Sequence, residues 1–405
     1  MKIMIVGANF VNKGAQSMLF IAVDEIKKRY PDAEVLFAST DIIKNVDEYA
    51  FTYVYYSKEA KNIALGRKAL FIRMRQCIKD TVKWLIGRRI LLWKYMDLSH
   101  CLNEIDMIID ISGFNLGSGW STEIHEAYLD NIRLAKKYDI PIVLMPQSFG
   151  PFDYPEDKQY LIREMQELLP YAKVIFAREK EGCQMLKDTF QLTNVKLSTD
   201  LVLQNQEIDL KHIYSNPPKM DLPKIGSGTV GVIPNIQCFN HGNRERILEI
   251  YRAVIEDLLA KEKKVCIFRH SSEDMEMCRA IYEMFSNNEN VHLLENDFSC
   301  VEFDQFVKQY DFVICSRYHG IVHSYRNYVP CVLLGWAVKY RELAEIVGQA
   351  RYSFDITDDK LSVQQIKSAI DNMCGKFGNE SEVIKKHLET IQKDNCFNIL
   401  SEGVI

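Results

Sequence analysis

Short apolar, β-branched runs alternate with longer helical patterns along almost the whole chain, and this alternation constrains the fold more than any other feature. In the first half the runs are Ile3 to Val6, Val35 to Phe37, Met107 to Ile111, Ile142 to Met145 and Val174 to Phe176. Helical patterns fill Gln16 to Arg29, Thr122 to Tyr138 and Glu179 to Thr189. Strands joined through helices run parallel, and a parallel sheet needs helices on both faces, so the pattern predicts an α/β, Rossmann-like domain. It lapses after Leu203, where prolines at 217, 218 and 223 and a closing Gly/Ser cluster read as a linker. A second series follows, with strands at Val230 to Ile233, Val265 to Phe268, Val291 to Leu293, Phe312 to Cys315 and Val332 to Leu334, and a terminal helix at Ser381 to Leu400. The expected architecture is two doubly wound domains facing a cleft, residues 1–205 and 226–405, joined by 206–225. That division suits 405 residues, more than one core usually supports.

Composition removes several classes of function. With 47% hydrophobic and 26% charged residues the chain is neither disordered nor a minimal scaffold, and a net charge of −5 argues against a general nucleic-acid binder. Eleven scattered cysteines without a CxxC pair fit neither a disulfide framework nor a zinc site, and nothing in the sequence demands a metal. The opening MKIMIVGANF reads as a first strand instead of a signal segment, and no apolar run approaches the roughly 18 residues needed to span a bilayer. The expected location is the cytoplasm. The charge average conceals one local excess: residues 61–94 hold ten bases and a single acid, Asp80, a +9 segment in a chain whose total is −5. Its cations are interleaved with Leu70, Phe71, Trp84, Leu85 and Trp93, a pattern suited to an anionic membrane surface, or to an insertion (about 61–95) covering the first domain with snorkelling cations.

In doubly wound sheets, ligands bind beyond the carboxyl ends of the strands, so the loops after strands carry the candidates. Ser316 to Gly320, SRYHG, joins an apolar strand to a helical pattern. There Arg317 offers a planar fork for phosphate or carboxylate, and His319 titrates near neutral pH. Lys339 lies in the loop after the next strand, and Arg178 and Asp200 follow earlier strands. The plainer reading pairs each arginine with local acids and leaves His319 as a turn residue. Asn9, Asn12 and Gln16 in the first glycine loop, and Asn115 in the second, are residue types that hold hydroxyl-rich ligands, although each also suits ordinary turn chemistry. Neither loop matches GxGxxG or the P-loop pattern. Asp106, Asp110 and Ser112 flank the second loop, and His270 and His241 follow strands of the second domain.

Taken together these residues resemble the polysaccharide pyruvyl transferases, which ketalise cell-envelope sugars using phosphoenolpyruvate. The similarity runs through NKGAQSML after the first strand, IDISGF, PQSFGPF at Pro146 to Phe152, FARE at Phe176 to Glu179, STD at Ser198 to Asp200, and SRYHGIVHSYRNYVPCVLLGWAVKY, whose Arg-x-His with downstream Pro and Lys is the most specific part. Ser112 stands where a second glycine is more usual, and Ala15 where many members carry aspartate. The resemblance implies a GT-B-like fold with an acceptor side in the first domain and a donor side in the second. It implies that Arg178, Arg317 and Lys339 hold phosphoenolpyruvate and that His319 is the acid; beside it Asp200 is a candidate base, and His270, Asn9, Asn12, Gln16 and Asn115 are candidate binding residues by their type and their place in the loops. It further implies no cofactor beyond the donor substrate; if the acceptor is a lipid-linked sugar, the basic segment is where the protein is expected to meet the inner membrane face. Two other readings remain: a nucleotide-sugar glycosyltransferase of the same fold, with Arg317 and Lys339 on a diphosphate, and a non-catalytic glycan-binding protein.

Overall fold

A computed structural model of the protein describes residues 1–41, 45–67 and 98–401. Most of the basic segment, 68–97, lies outside the described residues, and with it the expectation of membrane contact through 61–95.

The first domain is a seven-stranded, wholly parallel sheet in the order β3-β2-β1-β4-β5-β6-β7. Its strands are β1 (Lys2–Val6), β2 (Glu34–Ser39), β3 (Thr52–Tyr55), β4 (Met107–Asp110), β5 (Ile142–Gln147), β6 (Val174–Ala177) and β7 (Val195–Leu197). The second domain is a six-stranded parallel sheet, β10-β9-β8-β11-β12-β13. It comprises β8 (Thr229–Ile233), β9 (Lys264–Phe268), β10 (Val291–Leu294), β11 (Val313–Cys315), β12 (Cys331–Gly335) and β13 (Ser353–Asp355). β4, β5, β6, β8, β11 and β12 are buried along their whole length. Helices cover both faces, which explains why these strands read as continuous apolar runs without alternation.

The order in which successive strands are added reverses between β1 and β4 in one sheet and between β8 and β11 in the other, although every strand remains parallel. Each reversal splays two loops apart and opens a crevice beyond the strand ends, so the topology alone designates two places for ligands.

The domains are fastened together. One apolar cluster runs without interruption from Leu19, Ile21 and Phe37 of the first domain to Phe303, Phe306, Val322 and Phe397 of the second. The proline-rich connection is also tied down: Gln309 Nε2 donates to the Pro223 carbonyl at 3.0 Å and its Oε1 accepts from Ile225 N at 3.0 Å. The terminal helix differs from the expected Ser381 to Leu400. It spans Val363–Lys393, opened by a capping box between Ser362 and Gln365. The chain then turns back as Cys396–Ser401 onto the first domain, where Arg29 Nη2 donates to Asn395 and Asn398 (3.0 Å each) and Tyr30 Oη to the Leu400 carbonyl (2.5 Å). Among the described residues no helix is long and apolar enough to cross a membrane.

Candidate active site

The loops after β6, β7, β11 and β12 converge on His319. This residue lies in the first turn of the helix Tyr318–Arg326, which Arg317 precedes in the N-cap position. Opposite it the first domain presents the start of the helix Lys13–Arg29, where Asn12 Oδ1 accepts from Gly14 N (2.9 Å) and Ala15 N (3.4 Å). The approach is so close that a Cβ on Gly14 would sit 2.2 Å from His319 Nδ1. Glycine is required there by space.

Three cations surround this histidine. Arg178, 7% exposed, is held by Ser148 Oγ (2.8 Å) and Glu179 Oε1 (2.9 Å) on Nε and by Asp200 Oδ2 (3.1 Å) on Nη1. Its guanidinium lies 4.9 Å from the centre of the Tyr318 ring, and Lys339 Nζ lies 5.5 Å from the same ring. Lys339 also sits 5.3 Å from Trp336 and 5.9 Å from Tyr340. Among the described residues it has no carboxylate partner, and burial, reinforced by Arg178, brings its ammonium down to about 8. This half-buried ammonium rests on aromatic faces, and Glu179, which lines the same cavity with it, offsets part of the burial without coming within ion-pair distance. Burial, then the charges of Arg178, His323, Arg317 and Lys339, push the His319 imidazole well below its ordinary value. Its Nε2 is buried without a hydrogen-bond partner, 3.9 Å from Asp200 Oδ2.

Several predicted residues occupy other positions than expected. The Arg317 fork is not open: Nη1 donates to Asn235 Oδ1 (2.9 Å), Nη2 to Glu273 Oε1 (2.6 Å), and Asp274 lies 3.4 Å away. Asp200 lies at the N-cap of a short turn instead of a strand end, accepts from Val202 N (3.0 Å) as well as Arg178, and is 1% exposed. Its carboxylate is thus spent on holding Arg178. Gln16 Oε1 accepts from Cys300 N (3.3 Å) in the other domain, so it ties the domains together and does not line the crevice. Asp106 accepts from Lys2 N (2.7 Å) at the start of β4, the end of the sheet remote from the site. His270 is 2% exposed and stacks at 6.4 Å behind His319, its own imidazole driven low by burial and by His323. His241 lies flat on Trp336 at 3.9 Å. Asn9, Asn12 and Asn115 do line a common cavity, of about 500 Å³, beyond the β1–β4 reversal.

Other participants were overlooked in the sequence. Tyr318 supplies the platform shared by Arg178 and Lys339, and Ser148 joins Glu179, the local acid expected to pair with Arg178, in orienting that arginine. His323, one helical turn beyond His319, joins Ser17 Oγ (2.9 Å) to Asp304 Oδ1 (2.9 Å) across the domain boundary. The His-x-x-x-His spacing was a visible signal, since residues four apart share a helix face.

The family model for polysaccharide pyruvyl transferases matches residues 12–337, which include every residue just placed around His319 except Lys339 and Tyr340. The chain belongs to that family. No curated protein matches it. In fold, this family member is similar over its full length to the UDP-GlcNAc 2-epimerase of Methanocaldococcus jannaschii, at 12% identity and a TM-score of 0.57, with all of both chains covered. It is also similar to the Neisseria meningitidis UDP-GlcNAc 2-epimerase bound to UDP-GlcNAc, at 13% identity and 0.56 over 99% of each chain. A glycosyltransferase from Rickettsia africae matches at 10% and 0.55, covering 98% of this chain and 95% of that one. These likenesses establish the GT-B fold of this pyruvyl transferase family member.

Proposed function

We propose that this protein transfers the pyruvyl group of phosphoenolpyruvate to two hydroxyls of a cell-envelope sugar as a ketal, releasing phosphate. The observation that carries the reading is Lys339, a half-buried ammonium with no carboxylate within ion-pair distance among the described residues, beside Arg178 and a His319 imidazole kept neutral by its surroundings.

Phosphoenolpyruvate brings about three negative charges, which fixed cations in a water-poor site bind and orient. Lys339 and Arg178 meet it first. Arg317 joins by exchanging Glu273, whose side chain is 48% exposed and readily rehydrated. The arriving charge reverses the field at His319, so the imidazole takes up a proton as the substrate binds. Imidazolium then protonates the methylene carbon, leaving an oxocarbenium-like C2 that a sugar hydroxyl attacks. The proton of that hydroxyl restores His319, phosphate departs from C2, and the second hydroxyl closes the ketal while its proton leaves with the phosphate. Asp200 acts through Arg178, as a positioning residue. The acceptor would enter from the first-domain crevice, and a lipid-linked sugar would reach it from the membrane face to which the basic segment is suited.

His319→Asn is expected to lower phosphate release from phosphoenolpyruvate with a cognate acceptor about 10²- to 10⁴-fold, the usual worth of general acid–base catalysis. Arg317→Ala should be similarly impaired. Near-normal turnover in both folded variants would overturn the assignment.

A further inference from the structure

A second cavity, of about 310 Å³, opens between the domains beside Lys339, and the proposed chemistry uses only the edge of it formed by Ser148, Glu179 and Lys339. The first domain lines the rest with Phe114 from the loop after β4, Phe149 from the loop after β5, and Glu181 and Met185 from the helix Lys180–Phe190. The second domain adds Trp336 and, from the helix Val338–Ile346, Glu342. The volume is at the lower end of the roughly 300–1,000 Å³ of small-molecule sites, room for one sugar ring.

Two kinds of group make the wall. Phe114, Phe149, Met185 and Trp336 form an apolar surface, and two of its rings are braced from outside: Phe114 meets Trp120 edge-on at 5.5 Å, and Trp336 lies on His241 at 3.9 Å. The charged groups are acids, apart from Lys339. Glu179 is engaged with Arg178 (2.9 Å) and Ser148 Oγ (2.8 Å). Glu181, which is exposed, and Glu342, which is half-buried, have no lysine or arginine within ion-pair distance among the described residues. Burial raises the Glu342 carboxyl, the Lys180 backbone N–H opposes this, and the like charges of Glu179 and Glu181 add to it, so the three carboxylates share one field. An anion bound at Lys339 would neutralise the single cation among the lining residues and leave the acids in excess.

We infer that Glu181 and Glu342 make this cavity a sugar subsite that selects by charge, admitting a neutral hexose or an amino sugar and rejecting a sugar that carries an acid group. Ionised carboxylates only accept hydrogen bonds, so they suit hydroxyl and ammonium donors and repel a second carboxylate, the more strongly where water is scarce. Apolar and aromatic walls with a few polar groups suit the C–H faces of a sugar ring and fix its orientation. A ring seated there has its hydroxyls beside Lys339, and so beside an anion held by Lys339 and Arg178 around Tyr318. Phe114 is followed by Asn115, which lines the first-domain crevice, so the remainder of a longer acceptor continues there. The inference rests on the proposed pyruvyl transfer for calling this sugar the acceptor; the selection by charge does not.

In the empty protein Lys339 would itself attract an acid sugar, so the test is titration calorimetry on Lys339→Gln, whose cavity keeps its acids, with methyl glucoside, glucosamine and glucuronic acid as probes. Methyl glucoside and glucosamine are expected to bind at least about tenfold more tightly than glucuronic acid, because like charges meet in one cavity. Adding Glu342→Gln or Glu181→Gln should bring that ratio below about threefold, as one of the repelling charges is removed. Adding Phe114→Ala should weaken all three sugars together. None of these titrations contains phosphoenolpyruvate, so they judge the subsite by itself, while phosphate release from phosphoenolpyruvate by the wild type judges the donor reading. Methyl glucoside that fails to bind, glucuronic acid bound as tightly as the neutral sugar, or a ratio unchanged in both glutamate variants would overturn the inference.

Discussion

At the scale of single residues, function here depends on charges left incompletely paired. Lys339 and His319 differ from the protein's many ordinary ion pairs because neither has a carboxylate in hydrogen-bond contact, and their titration should therefore report substrate directly. Burial and Arg178 bring the Lys339 ammonium down to about 8, and a bound anion favours the charged form. Phosphoenolpyruvate affinity should consequently fall as pH rises past 8, and calorimetry near neutrality should show proton uptake, read from the dependence of the heat on buffer ionisation. Lys339→Gln should weaken binding about 10- to 100-fold, matching roughly 1.5–3 kcal/mol for a charge-assisted bond, and remove the alkaline limb. A binding constant flat from pH 7 to 9.5 would contradict this. Residue types were legible at this scale, but their partners were not. Arg317 and Arg178 look alike in the sequence, each following a strand; only the fold reveals that Glu273, some forty positions upstream, occupies the Arg317 fork.

At the scale of elements, the site depends on how helix starts and strand ends are cut. The helix Lys13–Arg29 begins where Asn12 caps it, and its second residue, Gly14, touches His319. Gly14→Ala should force the imidazole aside. Overpacking costs about 1–3 kcal/mol, and a displacement of about 1 Å near reacting atoms can cost on the order of 10²-fold in rate. Gly119→Ala is the control, because nothing lies within 4 Å of the Cβ it would add. Equal turnover in the two variants would refute the close approach. The buried strands were readable from sequence because sheets covered on both faces produce unbroken apolar runs. Shorter edge strands escaped notice: β3 carries Thr and Tyr in a half-exposed setting, and β13 has only three residues. The terminal helix starts earlier than expected, at the capping box of Ser362 with Gln365, and the stripe Ile366, Ala369, Ile370 and Met373 that follows at helical spacing was a visible signal of it.

At the scale of the whole molecule, a buried polar network joins the domains behind the site. Asp304 accepts from Arg326 (2.5 Å), His323 (2.9 Å) and Asn327 (2.8 Å), Arg326 reaches Asn205 at the end of the first domain, and Asn205 bonds Asp24 (2.9 Å) of the same domain. Burial would raise the Asp304 carboxyl, but Arg326 and His323 hold it below the ordinary carboxylate range. It therefore stays ionised, and its stabilisation is complete above about pH 4 and lost only as the pH falls through the lowered value. Asp304→Ala strands buried cations and should cost about 3–5 kcal/mol in denaturant titrations, with unfolding at less acidic pH than in the wild type. An unchanged acid midpoint would argue against the network as the clamp. None of this was legible beforehand, since its members come from positions 24, 205, 304, 323 and 326 and meet only when both sheets are assembled.

The central claim is pyruvyl transfer at the Lys339–His319 cluster, and ³¹P and ¹H NMR of the protein with phosphoenolpyruvate and a panel of neutral and amino sugars tests it most directly. The account predicts that the phosphoenolpyruvate signal is replaced by inorganic phosphate and a new ketal methyl singlet, and that both changes vanish in His319→Asn. Phosphoenolpyruvate left intact by wild-type protein while a nucleotide sugar is consumed under the same conditions would contradict it.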